Sequence, residues 1–522
     1  MSEPNNSAAA GPNEPGGPVG EAGSVRTSIA AQAVSAGRPM LARSFRMHRP
    51  RGAFCHDGWC QQCKVTLPDG RVVLACQTAG DPSSLPAAGW TWKRVLGLIA
   101  QRTPPWFYEG RFLRPKFMRQ HYLNWLRGVS GAHALPQRSL SREDAGRRWR
   151  KVAVDTLVVG GGLAGLAAAG KLSGKGKRVA LVERLAATEQ DSSDDRMRLA
   201  REAARAGGCD IYDGALCVGL YQDPKRALCV ADAGALSIEY AELVVATGAY
   251  DKWLTFPGND LPGIVGARAF ARLLRQRAVP ANARIGVYAD ERSAAAIIDE
   301  ARRANCAIAW LAGPDRLPAG AMIQVPDVRL ESAYGMRKIR GVRLAGRRLP
   351  CDMLVLGFSQ PTYELQAQAG ARMTLAGSPP IAVPVGGDPA VLAVGEAAGD
   401  FSADIMESTR QRVDAWLNAR EPEPVPSPAD HEKLKLMPDE AIVCPCEDVR
   451  VRDLRNAVED GYRDIELVKR HTGAGTGPCQ GKLCHGAMLQ CMADAGLDVR
   501  IPTPRPLVRP TPLRMFLGAD DE

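Results

Sequence analysis

VDTLVVGGGLAGLAAAGKLSGKGKRVALVER, residues 154–184, reads as a strand, a glycine turn, a helix and a second strand. In such a unit Gly160 makes the tight turn, Gly162 allows close approach of a pyrophosphate, and Gly165 lets the helix pack on the strand. Gly161 and Ala164 complete the loop, and the helix N-terminus faces the phosphates. A lone GxGxxG is weak evidence, and an ordinary βαβ turn would also use glycines. Here the motif follows a strand, opens a helix and is answered by Glu183 at the end of the next strand, where a carboxylate can bind ribose hydroxyls.

Working outward, ELVVATGAYD (242–251) and AVLAVGEAAGD (390–400) each read as a strand ending at a small-residue turn. These are features of a flavoprotein-type lobe: Ala246, Thr247 and Gly248 would pass close to the dinucleotide, and Glu396, after Gly395 of the second cofactor-binding turn, would reach the ribityl chain. Short Val/Leu/Ile strands alternate with Ala-rich helices from Asp155 to about Arg420, the pattern of parallel βαβ construction. A second unit, RIGVYAD, SAAAIIDEARRA and CAIAWLA, has the turn Ala289-Asp290-Glu291-Arg292-Ser293. Two carboxylates and no glycine would repel a pyrophosphate, so this lobe is expected to be an empty scaffold.

The cysteines supply the second theme. Eight of fourteen fall into two groups, and with no export signal this points to metal or cluster ligation rather than a disulfide framework. Cys55-x4-Cys60-x2-Cys63-x12-Cys76 has the plant-type [2Fe–2S] spacing, with three ligands on the loop CHDGWCQQC. KVTL, PDG and RVVLA between Cys63 and Cys76 form a hairpin that returns the fourth thiolate. His48 and His56 flank the loop as hydrogen-bonding or solvent-facing residues. TSIAAQAVSAG is the helix of this unit; the expected opening hairpin of a ferredoxin domain has no counterpart before it, so the unit must borrow a sheet edge or start upstream. At the other end, Cys444-Pro445-Cys446 and GTGPCQGKLCHGAM bring Cys444, Cys446, Cys479 and Cys484 together, the last two near the start of a helix whose dipole favours thiolate. Cys491 is expected to pack inside that helix. Zinc remains the alternative for both groups. Cys209, Cys217, Cys229, Cys306 and Cys351 contain no C-x-x-C pair and read as small buried hydrophobes, which argues against disulfide-reductase chemistry.

At 522 residues, 45% apolar and 24% charged, the chain can bury several cores. The expected organisation is a disordered leader (1–24), a ferredoxin-like unit (25–90), a basic aromatic connector (91–150), the dinucleotide core (151–420), a Pro-rich linker (421–437), a helical cysteine unit (438–498) and a Pro-rich tail (499–522). No apolar run reaches the ~20 residues of a membrane span, and the start resembles no secretory signal, so a cytoplasmic location is expected. Residues 26–151 carry 22 Lys and Arg against 6 Asp and Glu. No nucleic-acid recognition fold accompanies this block, so an acidic partner subunit, a cofactor phosphate or a solvated face are the readings of its charge.

ARSFRMHRPRGAFC, WFYEGRFLRPKF, VVGGGLAG, VVATGAYDKWLTFPGNDLPGI, CPCEDV followed by GTGPCQGKLC, and RPLVRPTPL together resemble the α subunit of the heteromeric sarcosine oxidase family. Its relatives include the iron–sulfur and flavin subunits of opine, hydroxyproline and proline dehydrogenases and of hydrogen cyanide synthase. The resemblance spans about residues 28–513 and implies an α/β fold: a Rossmann-like two-dinucleotide-binding (FAD/NAD-linked reductase) core flanked by an N-terminal ferredoxin-like β-grasp [2Fe–2S] domain and a small helical C-terminal [2Fe–2S] domain. The C-terminal cysteines look like the bacterioferritin-associated-ferredoxin type, which raises iron over zinc for Cys444, Cys446, Cys479 and Cys484. The resemblance further implies FAD at the glycine-rich site, with NAD or ATP in some relatives and FMN at a subunit interface. Amine oxidation would take place on a D-amino-acid-oxidase-like β subunit, and electrons would leave to a quinone or carrier protein. The folate-binding half of full-length α subunits is missing from this text. The expectation is therefore an electron-transferring oxidoreductase subunit acting on CH–NH donors, with no catalytic acid–base pair of its own. A self-contained NAD(P)H-dependent ferredoxin-type reductase and a zinc-bearing scaffold are the rivals.

Overall fold

The computed structural model describes residues 27–44, 47–84, 117–122, 148–186, 195–231, 234–376, 381–384, 386–418, 437–497, 500–511 and 513–516. The leader, almost all of the aromatic connector and nearly all of the Pro-rich linker lie outside them.

Near the N-terminus, α1 (Ile29–Ser35) starts at Ser28, whose hydroxyl accepts the Ala31 amide. Strands β1 (Lys64–Thr66) and β2 (Val72–Leu74) form the hairpin expected around PDG. This small unit leans on the core. Ala31 and Val34 of α1 pack with Val265, Phe270 and Leu273, so the unit is supported by burial against the second core sheet.

The first core sheet is built on β3 (Arg148–Val159), followed by α2 (Leu163–Ser173), β4 (Val179–Glu183), α3 (Asp195–Ala206) and β5 (Asp210–Asp213). An antiparallel excursion, β6 (Leu216–Gln222), β7 (Lys225–Ala231) and β8 (Gly234–Val245), completes the order β5-β4-β3-β8-β7-β6. The upper half of β8 pairs in parallel with Val391–Ala393, which delivers Gly395 and Glu396 beside the glycine loop. The second sheet is all parallel: β9 (Ile264–Gly266), β10 (Ile285–Ala289), β11 (Ile308–Ala312), β12 (Ile323–Val325) and β13 (Met353–Gly357) in the order β9-β13-β10-β11-β12. Helices α4 (Ala267–Arg275) and α5 (Glu291–Arg303) bury Phe270, Leu273, Ile297 and Ile298 against it. Near-continuous apolar strands such as IGVYA and MLVLG belong to a sheet covered on both faces.

The C-terminal unit is three helices, α6 (Val451–Glu459), α7 (Ile465–Thr472) and α8 (His485–Asp494), around a core of Val443, Leu454, Val468, Met488 and Leu489. The proline-rich segment after it folds back: the Val508 amide bonds to the Val218 carbonyl at 2.7 Å, tying the C-terminal unit to the first sheet. Among the described residues no helix is long and apolar enough to cross a membrane.

Candidate electron-transfer site

All the residues expected to hold the dinucleotide converge at the end of β3. Gly160 has φ 111, and a Cβ there would stand 2.2 Å from the Ala246 carbonyl oxygen; neither fact admits a side chain. A Cβ on Gly165 would fall 1.9 Å from the Gly160 oxygen. A Cβ on Gly395, at φ 63, would stand 2.6 Å from the Ala164 Cβ. Gly162 differs: it is the N-cap of α2 and a Cβ there would meet nothing within 4 Å. Its open side and the exposed amides of the first helical turn are the cradle a pyrophosphate fits. The Glu183 carboxylate accepts the Gly161 amide at 2.6 Å and the Leu185 amide at 2.8 Å, which fixes it at the rim of the loop. Glu396 accepts from Arg268 at 2.7 Å. Arg268 also faces buried Asp251, whose carboxyl is pushed up by burial despite that guanidinium. Arg268 lay beyond the reach of sequence reasoning: it begins an ordinary amphipathic helix and carries no motif.

The first cysteine set is buried, each thiol at 6% exposure or less. Left-handed residues His56, Gly58 and Gln61 wind the loop so that amides point inward. The Asp57 and Cys60 amides donate to Cys55 Sγ at 3.3 and 3.4 Å. The sulfurs touch in series, Cys60 to Cys55 to Cys76 to Cys63. Burial opposes ionisation of Cys55, but the bonds from Cys60, Cys76 and the amides outweigh it and hold this thiol well below the usual range. His56 is buried rather than solvent-facing, and burial lowers it to about 4.

The second set repeats the arrangement, Cys484 to Cys444 to Cys446 to Cys479. Hydrogen bonds from Cys446 and Cys484 hold Cys444 well below its ordinary value. Cys479 and Cys484 were both expected to be favoured as thiolates near the start of α8; the bond with Cys446 holds Cys479 below its ordinary value, whereas donating to Cys444 pushes Cys484 up. Cys491 packs inside α8 as expected. Among the described residues no three His, Cys, Asp or Glu side chains are gathered as a site for a single metal ion; the thiol contacts run in a chain of four in each set. Amide donors, burial and four thiols per set fit an anionic sulfur-ligated group. Cys209, Cys217, Cys229 and Cys351 are buried and Cys306 is half-buried.

The three sites abut. Asp57, inside the first cysteine loop, is ion-paired with Arg184 at 3.0 Å, and Arg184 directly follows Glu183. On the other side, Gln62 Nε2 donates to Cys446 Sγ at 3.2 Å. Cys55, Cys60 and Cys479 share one apolar cluster with Phe54, Trp59, Tyr250 and Trp253.

Residues 22–82 match the 2Fe-2S iron-sulfur cluster binding domain, 154–288 the pyridine nucleotide-disulphide oxidoreductase domain, and 439–516 the sarcosine oxidase A3 domain. Sarcosine oxidase subunit alpha of Rhizobium meliloti (strain 1021) is 23% identical over 94% of this chain. The chain is similar to the sarcosine oxidase α subunit over most of its length. It spans 56% of the length of that curated relative. Hydrogen cyanide synthase subunit HcnB of Pseudomonas aeruginosa is 33% identical over 92 residues, 17% of this chain and 20% of that protein. The fold is shared with L-proline dehydrogenase from P. horikoshii, at a TM-score of 0.64 and 16% identity over 94% of this chain and 93% of that one. The expected α/β fold and the expected family resemblance are thus borne out, and the chain matches a 2Fe-2S iron-sulfur cluster binding domain and a pyridine nucleotide-disulphide oxidoreductase domain.

Proposed function

We propose that this chain is the electron-transferring α-type subunit of a dehydrogenase acting on CH–NH donors of the sarcosine, opine, proline or hydroxyproline kind. Substrate oxidation would occur on a partner flavoprotein β subunit, and electrons would leave to a quinone or carrier protein. The observation that carries this reading is the position of the CHDGWCQQC loop: Asp57 engages Arg184 beside the dinucleotide rim, while Gln62 reaches Cys446 of the second set. A chain that kept its cysteine sets for structure alone would have no reason to place one against the nucleotide rim and the second against the first.

FAD is assigned to Gly160, Gly161, Gly162, Ala164, Gly165, Glu183, Ala246, Thr247, Gly248, Gly395 and Glu396, with NAD and ATP as the alternatives for the same cradle. One [2Fe–2S] cluster is assigned to Cys55, Cys60, Cys63 and Cys76 of the unit 25–90, and a second to Cys444, Cys446, Cys479 and Cys484 of the unit 438–498. Bound there, these groups supply one-electron steps and the flavin a two-electron store; the chain's own residues exclude water and fix distances. The NAD(P)H-reductase alternative is disfavoured by Asp290, whose carboxylate accepts the Ser293 amide at 2.7 Å and so occupies the helix start where a second pyrophosphate would sit.

Iron, acid-labile sulfide and released nucleotide are to be measured on anaerobically purified protein, with and without the β-type partner. The expected result is about four irons and four sulfides per chain, and a flavin reduced only when partner and amine are both present. Zinc in place of iron would promote the scaffold, and bleaching by NADH alone would promote the reductase.

A further inference from the structure

We propose that Gln62 couples the two cysteine sets: held by the loop of the first, its carboxamide donates to Cys446 of the second and sets the reduction potential of the cluster bound there. This rests on the two-cluster reading above. Gln62 lies between Cys60 and Cys63 and is 8% exposed. Its Nε2 bonds to the Cys60 carbonyl and to Cys446 Sγ, each at 3.2 Å, so one amide group joins both ligand loops across 384 residues of sequence. The amide is aimed by its own loop: Gln61, at φ 59, turns the chain, and the Gln61 side chain bonds to the Gly58 carbonyl at 2.7 Å.

A hydrogen bond to a ligating thiolate withdraws electron density from sulfur and favours the reduced, more negative state of the cluster. It acts strongly here because Phe54, Trp59, Trp253 and Leu483 wall the junction with apolar surface. Lys64, next to Cys63, is half-buried, and its ammonium lies within electrostatic reach of Cys446, Cys479 and Cys63. One donor and one cation of the N-terminal unit therefore act on the C-terminal set, and the N-terminal unit tunes the cluster of its neighbour.

The test is an EPR-monitored redox titration of the full-length, cluster-loaded protein. In Gln62→Leu the ratio of reduced to oxidised C-terminal cluster at a fixed poise is expected to fall about tenfold, equivalent to 59 mV for a one-electron couple. Gln62→Glu, which sets a carboxylate against the thiolate, is expected to lower it further. An unshifted potential in both variants, with both clusters present, would overturn the role of Gln62. If either variant fails to load its clusters, unaltered protein carrying 15N in its glutamine amides supplies the second measurement: pulsed EPR is expected to show a nitrogen coupled to the C-terminal cluster spin, and absence of that coupling also overturns it. Fewer than two clusters in unaltered protein would instead remove the reading on which the inference stands.

Discussion

Gly162 is the residue at which nucleotide binding is most cleanly separable from folding. A Cβ there meets nothing, whereas at Gly160 and Gly165 it would strike backbone. Gly162→Asp therefore folds but places a carboxylate where the pyrophosphate approaches, and nucleotide released per chain should fall at least tenfold while iron is unchanged. Cys60→Ser is expected to do the reverse, removing one iron–sulfur signal and keeping the nucleotide. Lys252 offers a pH test. It lies in a narrow crevice with Trp253, Tyr363, Lys482 and His485, and burial of its ammonium lowers its pKa to about 7. Above that value the native chain has shed a proton that the unfolded chain keeps to about pH 10, so stability should rise between pH 7 and 9. The thermal midpoint of Lys252→Met should lose that slope. The glycine loop and the eight cysteines were legible because short spacing encodes them. Arg268 and Gln62 were not, since each acts on a partner 128 or 384 residues away and neither leaves a periodic trace.

At the scale of elements, α5 shows how a dinucleotide lobe becomes a scaffold. Its N-cap, Asp290, satisfies the Ser293 amide and puts negative charge at the positive end of the helix. Asp290→Ala should therefore lower stability by about 1 kcal/mol, read as a shift in denaturant midpoint, and should confer no NADH-dependent flavin reduction. Appearance of that activity would mean the carboxylate had been masking a working site. The strand–helix alternation of this lobe could be read from RIGVYAD and its neighbours, as could the hairpin of β1 and β2, because both are local in sequence. The support of α1 by the second sheet could not, for Ala31 and Val34 look like any small apolar pair until Phe270 and Leu273 are brought against them.

Across the whole molecule, three segments whose mutual contact was not legible in sequence, MHRPRG, GNDLPG and CPCEDV, close into one buried lock. Arg51 bonds to Asp260 of the core and to Asp448 of the C-terminal unit, each at 2.5 Å, with side-chain exposures of 4%, 2% and 0%. It also donates to the Pro445 carbonyl at 3.3 Å. Arg49 adds a forked pair to Asp260. Burial alone would raise the Asp260 carboxyl, but the two guanidiniums bring it to about 2. Trp253 and Asn259 extend the contact by donating to the Ile442 carbonyl at 2.9 and 2.7 Å. A buried charge pair adds little over an apolar isostere, yet removing one partner strands the others without water. Arg51→Met leaves Asp448 inside the interface with its guanidinium gone, at a cost of roughly 3–5 kcal/mol. The penalty falls on docking: the C-terminal unit should become protease-sensitive and the junction of Gln62 with Cys446 should open, so the C-terminal cluster is lost at a lower temperature than the N-terminal one. Arg178→Met is the control, since the Arg178–Asp155 pair is 69% and 44% exposed and its loss should leave both cluster melting temperatures unchanged. Equal melting of the two clusters in Arg51→Met would mean that the apolar wall, rather than the ion lock, holds them in register.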